Sequence, residues 1–297
     1  MKTFTVNQND ANQRLDKFIQ KLMPSLPKSM LYKGLRKNNV RLNGKHCHDG
    51  SKVVCENDEI ALYFSDDFFD TKDTFIPRLT KPTIVYEDEN IVVADKPKGL
   101  SVHADEKSTN DTLIDRIISY LFEKGEYDPK AENTFTPALC NRLDKNTSGL
   151  VIAAKNANSL RIINEKIKNR EIDKFYICKC DGKLPKVKDT IYSHLVRGDK
   201  KVFLNENGDG KEIVTEYKVI KSDSSSSLLE VKLLTGRTHQ IRAHLASIGN
   251  PLCGDVKYGG SRQKDGYFLK SYKLVFNFIS PAGELDYLKG MEIKCKI

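Results

Sequence analysis

Apolar positions recur along this chain at two spacings, and each spacing marks a kind of element. Leu15, Phe18, Ile19 and Leu22 fall at i, i+3, i+4 and i+7, one stripe of a helix that Pro24 stops. Residues 28–37 read as a second short helix with Leu31 and Leu35 inward and Lys33, Arg36 and Lys37 outward. Val40-Arg41-Leu42 is a strand, Asn43-Gly44 a tight turn, and Ile60–Phe64 a further strand. Residues 65–82 then lose all pattern. They are acidic, hold Pro77 and Pro82, and read as a joint between two domains, with Phe68 and Phe69 available to pin it.

Beyond the joint, strands are expected over 83–86, 91–94, 150–154, 174–180, 201–204, 213–220 and 228–234. Helices are expected over 112–123, 157–169 and from Ile241 to Ile248, the last closed by Gly249. Strands and helices intermix without a repeat. The division expected is 1–64, a linker 65–82, and a larger domain 83–297.

Two stretches carry chemistry. Asn141-Arg142-Leu143-Asp144-Lys145-Asn146-Thr147-Ser148-Gly149 precedes the apolar run Leu150–Ala154, which puts Asp144 on a loop at the mouth of a buried strand. Asp, Asn, Thr and Ser also stabilise turns locally, so a purely structural Asx turn fits the same residues. In Gly236-Arg237-Thr238-His239-Gln240-Ile241-Arg242, a strand-to-helix junction is crowded with Arg237, His239, Gln240 and Arg242. A helix N-terminus with arginines is an anion site. A structural arginine paired to a buried carboxylate has the same appearance in sequence.

Charge sharpens the picture. Lys and Arg number 49 against 40 Asp and Glu, a net charge of +9, which favours a polyanionic partner. Residues 1–64 hold eleven Lys and Arg against six Asp and Glu, so this fifth of the chain carries more than half of the surplus. No stretch approaches the ~18 apolar residues of a membrane helix, and Met1–Thr5 lacks the apolar core of a signal peptide. A cytoplasmic protein with no membrane association is expected. The seven cysteines have no framework spacing. His46-Cys47-His48 and Cys178-x-Cys180 lack a second ligand pair at zinc spacing, so no metal is expected.

Residues 12–64 resemble the small S4-like RNA-binding domain first described in a small-subunit ribosomal protein, through Gln13–Phe18 and Leu35–Lys45. That resemblance implies an RNA grip by Lys28, Lys33, Arg36, Lys37 and Arg41. The rest resembles the RluA-type RNA pseudouridine synthases. Val93–Leu100, Asn141–Leu150, Lys174-Phe175-Tyr176, Gly236–Leu245, Gly249–Asp255 and Tyr258-Gly259 carry the likeness in order across residues 83–260. It implies an α+β fold: a mixed, largely antiparallel sheet with peripheral helices and a central cleft, beside the small N-terminal α/β domain. It implies Asp144 as the essential aspartate, Arg242 as its arginine partner, and Tyr176 against the target base and as a candidate for the later proton removal from C5. It implies that Arg142 fills the gap left by a flipped nucleotide, and Lys96, Arg237, His239 and Gln240 are expected among the RNA contacts. The family often has His where Asn141 stands. Isomerising uridine involves no redox change or group donor, so no cofactor is expected. The partner expected is RNA, ribosomal rather than transfer RNA, and the enzyme a monomer. Two competing readings remain: a non-catalytic RNA-binding protein on the same scaffold, and a hydrolase, which would need a second carboxylate such as Asp95 or Asp255.

Overall fold

The computed structural model describes residues 1–69, 76–104, 111–198, 201–205 and 208–297. Residues 70–75 of the expected linker, and residues 206–207 between the strands expected over 201–204 and 213–220, lie outside the described residues. In chain order the elements begin with β1 (Lys2–Thr5), β2 (Gln13–Arg14), α1 (Leu15–Leu22), α2 (Lys28–Arg36), β3 (Val40–Leu42), β4 (Lys45–His46), β5 (Val53–Val54) and β6 (Glu59–Leu62). There follow β7 (Ile84–Glu87), β8 (Ile91–Lys96), α3 (Leu113–Glu123), β9 (Ala138–Leu139), β10 (Ser148–Ala154), α4 (Ala157–Lys168) and β11 (Ile172–Asp181). The last are β12 (Lys188–Arg197), β13 (Val202–Asn205), β14 (Lys211–Ser222), β15 (Ser226–Leu233), α5 (Gln240–Ser247), β16 (Leu269–Phe276) and β17 (Glu292–Lys294).

The apolar stripes do what their spacing requires. Leu15, Phe18, Ile19, Leu31 and Leu35 are almost wholly buried and form one core with Val40, Ile60 and Leu62 under the sheet β1-β6-β3-β4. Phe69 joins this core and stacks on Phe4 at 5.9 Å, so the start of the joint is fixed to the N-terminal sheet.

The larger sheet runs β13-β12-β14-β15-β11-β16-β10-β8-β7, with β17 beside β16 and β9 beside β10. Every pair is antiparallel except β10 with β16. One face packs Leu113, Ile117 and Leu121 of α3 together with Tyr176, Cys178 and Cys180. A second core gathers Ile91, Val93, Leu150, Ile152 and Ile163 of α4. Neighbouring residues of β8 and β10 thus serve different cores, which is why both strands read as continuous apolar runs rather than as alternation.

The parallel pairing explains one glycine. Gly149 lies opposite Ser271 with φ +112°, and a Cβ there would come within 2.1 Å of the Ser271 carbonyl oxygen. Only glycine permits that approach and that backbone angle. The loop bearing Asp144 is thereby held against the middle of the sheet.

A polar seam joins the N-terminal sheet to the rest. The fully buried carboxylate of Asp10 accepts from Asn133 Nδ2 at 2.7 Å and from Thr134 Oγ1 at 2.5 Å. Glu132 accepts from Asn7 and Asn9, and Asn9 Oδ1 accepts the first N–H of α4, from Ala157, at 3.1 Å. Arg161 reaches back to the Ala11 carbonyl.

Candidate active site

Three segments meet over a cavity of about 620 Å³: the loop 141–147, the strand residues Lys174 and Tyr176 of β11, and the turn 236–239 that opens α5. The loop closes by a backbone bond from the Thr147 N–H to the Asp144 carbonyl, 3.0 Å. The turn is therefore made by the main chain, and the Asp144 carboxylate is not consumed in holding it. Asn141 does the side-chain work instead: its Oδ1 accepts the Ile152 N–H at 2.8 Å and its Nδ2 donates to the Leu150 carbonyl. At the position where the family often has His, this chain has an amide that pins the loop to β10.

The carboxylate of Asp144, 29 % exposed, faces two groups of the opposite segment. His239 Nε2 lies 3.7 Å away and Arg242 Nη1 lies 3.8 Å away. The Arg242 distance is an ion-pair contact, and both distances are too long for hydrogen bonds. The sequence reading had Arg242 as the partner of Asp144. The principal partner is Asp255, whose oxygens accept from Nε at 2.6 Å and from Nη2 at 2.7 Å in a buried fork. The guanidinium lies between two aromatic faces, 4.6 Å from the Tyr267 centroid and 4.9 Å from that of Tyr258. Arg242 is thus fixed on one edge and presents the remaining Nη1 to Asp144. Tyr267 and Asp255 were not predicted in these roles, since what joins them to Arg242 is tertiary packing across 13 to 25 positions of chain.

His239 takes a left-handed backbone at φ +57°, a conformation a non-glycine residue adopts at a cost, and it caps the start of α5. Its Nδ1 is 2.9 Å from the Tyr258 hydroxyl, whose oxygen also accepts the Val202 N–H at 3.2 Å. When Tyr258 donates to Nδ1, the ring proton sits on Nε2 and points toward Asp144. Burial, helped by the charge of Arg242, pushes the imidazole pKa below its ordinary value against the pull of Asp144. The ring is neutral near pH 7.

Tyr176 follows a bulge in the pairing of β11 with β16 and is 5 % exposed, at the cavity wall. Burial pushes its phenol far up, so it stays protonated. Arg142 and Arg237 are exposed at the cavity.

Two expected RNA contacts are corrected. Lys96 is wholly buried, and its ammonium donates to the carbonyls of Pro97, Leu100 and Lys145 at 2.8–3.0 Å. All three donors are used, so Lys96 ties two loops together and has none left for RNA; burial pushes its pKa down to about 8. Gln240 is 2 % exposed. It accepts from Thr235 Oγ1 and Arg237 N and donates to Val214 O and Thr215 Oγ1, bracing the turn from inside.

On the N-terminal module Lys28, Lys33, Arg36 and Lys37 are exposed. Arg41 is half-buried, with its guanidinium 5.5 Å from the Tyr63 ring centroid. Asp95, weighed as a second carboxylate, is paired to Lys270 at 2.8 Å, and Asp255 is held by Arg242. Among the described residues lining the cavity, Asp144 is the sole carboxylate.

Among the described residues, no helix is long and apolar enough to cross a membrane. Residues 90–247 match the model of the RNA pseudouridylate synthase family, and residues 13–60 match the S4 domain. An uncharacterised RNA pseudouridine synthase of Mycoplasma capricolum is 34 % identical over 99 % of this chain and 97 % of its own length. Ribosomal large subunit pseudouridine synthase D of Borreliella burgdorferi is 32 % identical over 91 % of this chain and 83 % of its own. The Escherichia coli K12 protein of the same name is 31 % identical over 87 % and 76 %. Among solved structures, human RNA pseudouridylate synthase domain containing 4 superposes with a TM-score of 0.57 at 24 % identity, covering 72 % of this chain and 88 % of that one.

Proposed function

The chain belongs to the RNA pseudouridylate synthase family, and from that membership we propose that it isomerises uridines of large-subunit ribosomal RNA, with Asp144 acting at the sugar–base bond. The observation that carries this reading is the single carboxylate among the described residues of the cavity, facing the free edge of a guanidinium locked by Asp255. Isomerisation breaks the N1–C1′ bond, turns the uracil and joins C5 to C1′. One ionised carboxylate suffices as nucleophile, base or charge stabiliser. Glycosidic hydrolysis ordinarily needs two carboxyl groups flanking the bond, and the described lining offers one.

The neighbours divide the remaining work. Arg242 and His239 fix the carboxylate from one side without a short hydrogen bond that would blunt it. Tyr176, kept neutral by burial, lays its ring against the flipped base, a role that suits it better than proton removal from C5. The base leaves its stack at a cost of a few kcal/mol, and exposed Arg142 occupies the gap. The ribosomal assignment is supported by the names of the relatives and by the S4 domain.

The test is incubation of the purified protein with RNA from cells that lack the gene, followed by pseudouridine mapping and mass analysis. New pseudouridines at a few large-subunit positions in RNA of unchanged mass are expected. Release of free uracil would overturn isomerisation, and modification confined to transfer RNA would overturn the ribosomal substrate. In the same assay, Lys33, Arg36 and Lys37 replaced together by Gln should weaken RNA binding. The slope of log affinity against log salt should flatten by about 2–3, at ~0.7–0.9 for each of three phosphate contacts, with turnover at saturating RNA retained. An unchanged slope would remove this helix from the RNA interface.

A further inference from the structure

Among the described residues, Lys174 is a cation without an anion. It stands two residues before Tyr176 on β11, on the same face of the strand, and lines the same cavity as Asp144. Its Nζ lies against Gly236, 3.6 Å from where a Cβ of that residue would be. The other strand lysines nearby are paired: Lys232 with Asp173, Lys270 with Asp95, and Lys273 with Glu230. Among the described residues no carboxylate, carbonyl or hydroxyl accepts from Lys174, and its pKa is pushed down by burial with no carboxylate near enough to oppose it. An ammonium partly withdrawn from water without a partner is a net cost to the fold. The main chain of Gly236 passes beside it and leads through exposed Arg237 to the N-terminus of α5, where backbone N–H groups and the helix dipole favour negative charge.

We propose that Lys174, with the turn Gly236–Arg237, binds a backbone phosphate beside the target nucleotide, completing its charge balance only when RNA is present. This rests on the cavity being the site of uridine isomerisation. A phosphate is the anion that RNA brings to such a place, and a fixed contact there would set how far the flipped nucleotide enters. Lys174 is then a positioning residue for the base stacked on Tyr176, distinct from the groups that face Asp144.

The test compares wild type with Lys174→Met and Lys174→Arg, using transcribed large-subunit ribosomal RNA as the probe. Lys174→Met should bind about tenfold more weakly at moderate salt, with the salt slope lower by about 0.7–0.9, one phosphate. Lys174→Arg should restore both. Removing an uncompensated cation should also leave the melting temperature unchanged or higher. The opposite pattern, a lower melting temperature with unchanged affinity and slope, would make Lys174 a structural residue and overturn the proposal. Because binding is read without turnover, loss of the slope in a protein that forms no pseudouridine would instead count against the isomerase reading alone.

Discussion

Asp144→Asn should lower turnover at least about a thousandfold, roughly 4 kcal/mol of transition-state stabilisation, while leaving the fold and RNA affinity in place. The amide matches the carboxylate in size and lacks its charge, so the change isolates the chemistry. The neighbouring structure does not lean on that charge: the neutral imidazole of His239 is 3.7 Å away and the Arg242 guanidinium 3.8 Å away, and the loop is closed by main-chain and Asn141 bonds. Arg242 stays where Asp255 holds it. Single-turnover assays beside thermal melts and filter binding make the comparison. Preserved turnover would mean that the carboxylate is not the reacting group. Parallel loss of folding would mean that the loop, and not the chemistry, depends on it.

Asp255→Ala should cost more in stability than any other single change at the site. It strips a buried guanidinium of a bidentate partner, and breaking such a pair costs about 3–5 kcal/mol. Urea unfolding should show the loss as an earlier midpoint. Freed on that edge, Arg242 should swing onto Asp144 and bind it directly, so turnover should fall even where the variant remains folded. The double change Arg242→Met with Asp255→Leu separates the two effects. Replacing both partners by apolar side chains should recover most of the stability and none of the turnover. A single variant as stable as wild type would show that the buried fork is not needed to hold α5 against the residues that follow it.

The periodicities reached most of the elements, because the stripes of α1, α2 and α3 and the apolar runs of β8 and β10 are local patterns with one physical solution. Two large pieces escaped them. β12 and β16 carry lysines and serines among their apolar residues, and β16 is central only because β11 and β10 flank it at long range. Asp144 was legible as a loop carboxylate, and the main-chain turn shows why the structural reading of that loop and the functional one are compatible. Lys96 and Gln240 were misassigned for one shared reason. Sequence displays a polar side chain but not its direction, and both turn inward to satisfy backbone groups that would otherwise be buried unpaired. Arg242 shows the converse: one residue forks onto buried Asp255 and also turns Nη1 toward Asp144, so sequence does not separate a structural arginine from one that faces the cavity.

On the proposed function, the seam around Asp10 turns the N-terminal module and the cavity into a caliper. A tethered module would have to be brought into register with the cavity each time RNA bound, at an entropic cost met from binding energy. Here Asp10, Asn133, Thr134 and Arg161 settle that register during folding. If the module grips RNA as proposed, the gap between it and the cavity is a fixed length, and an RNA is measured by whether its own fold spans it.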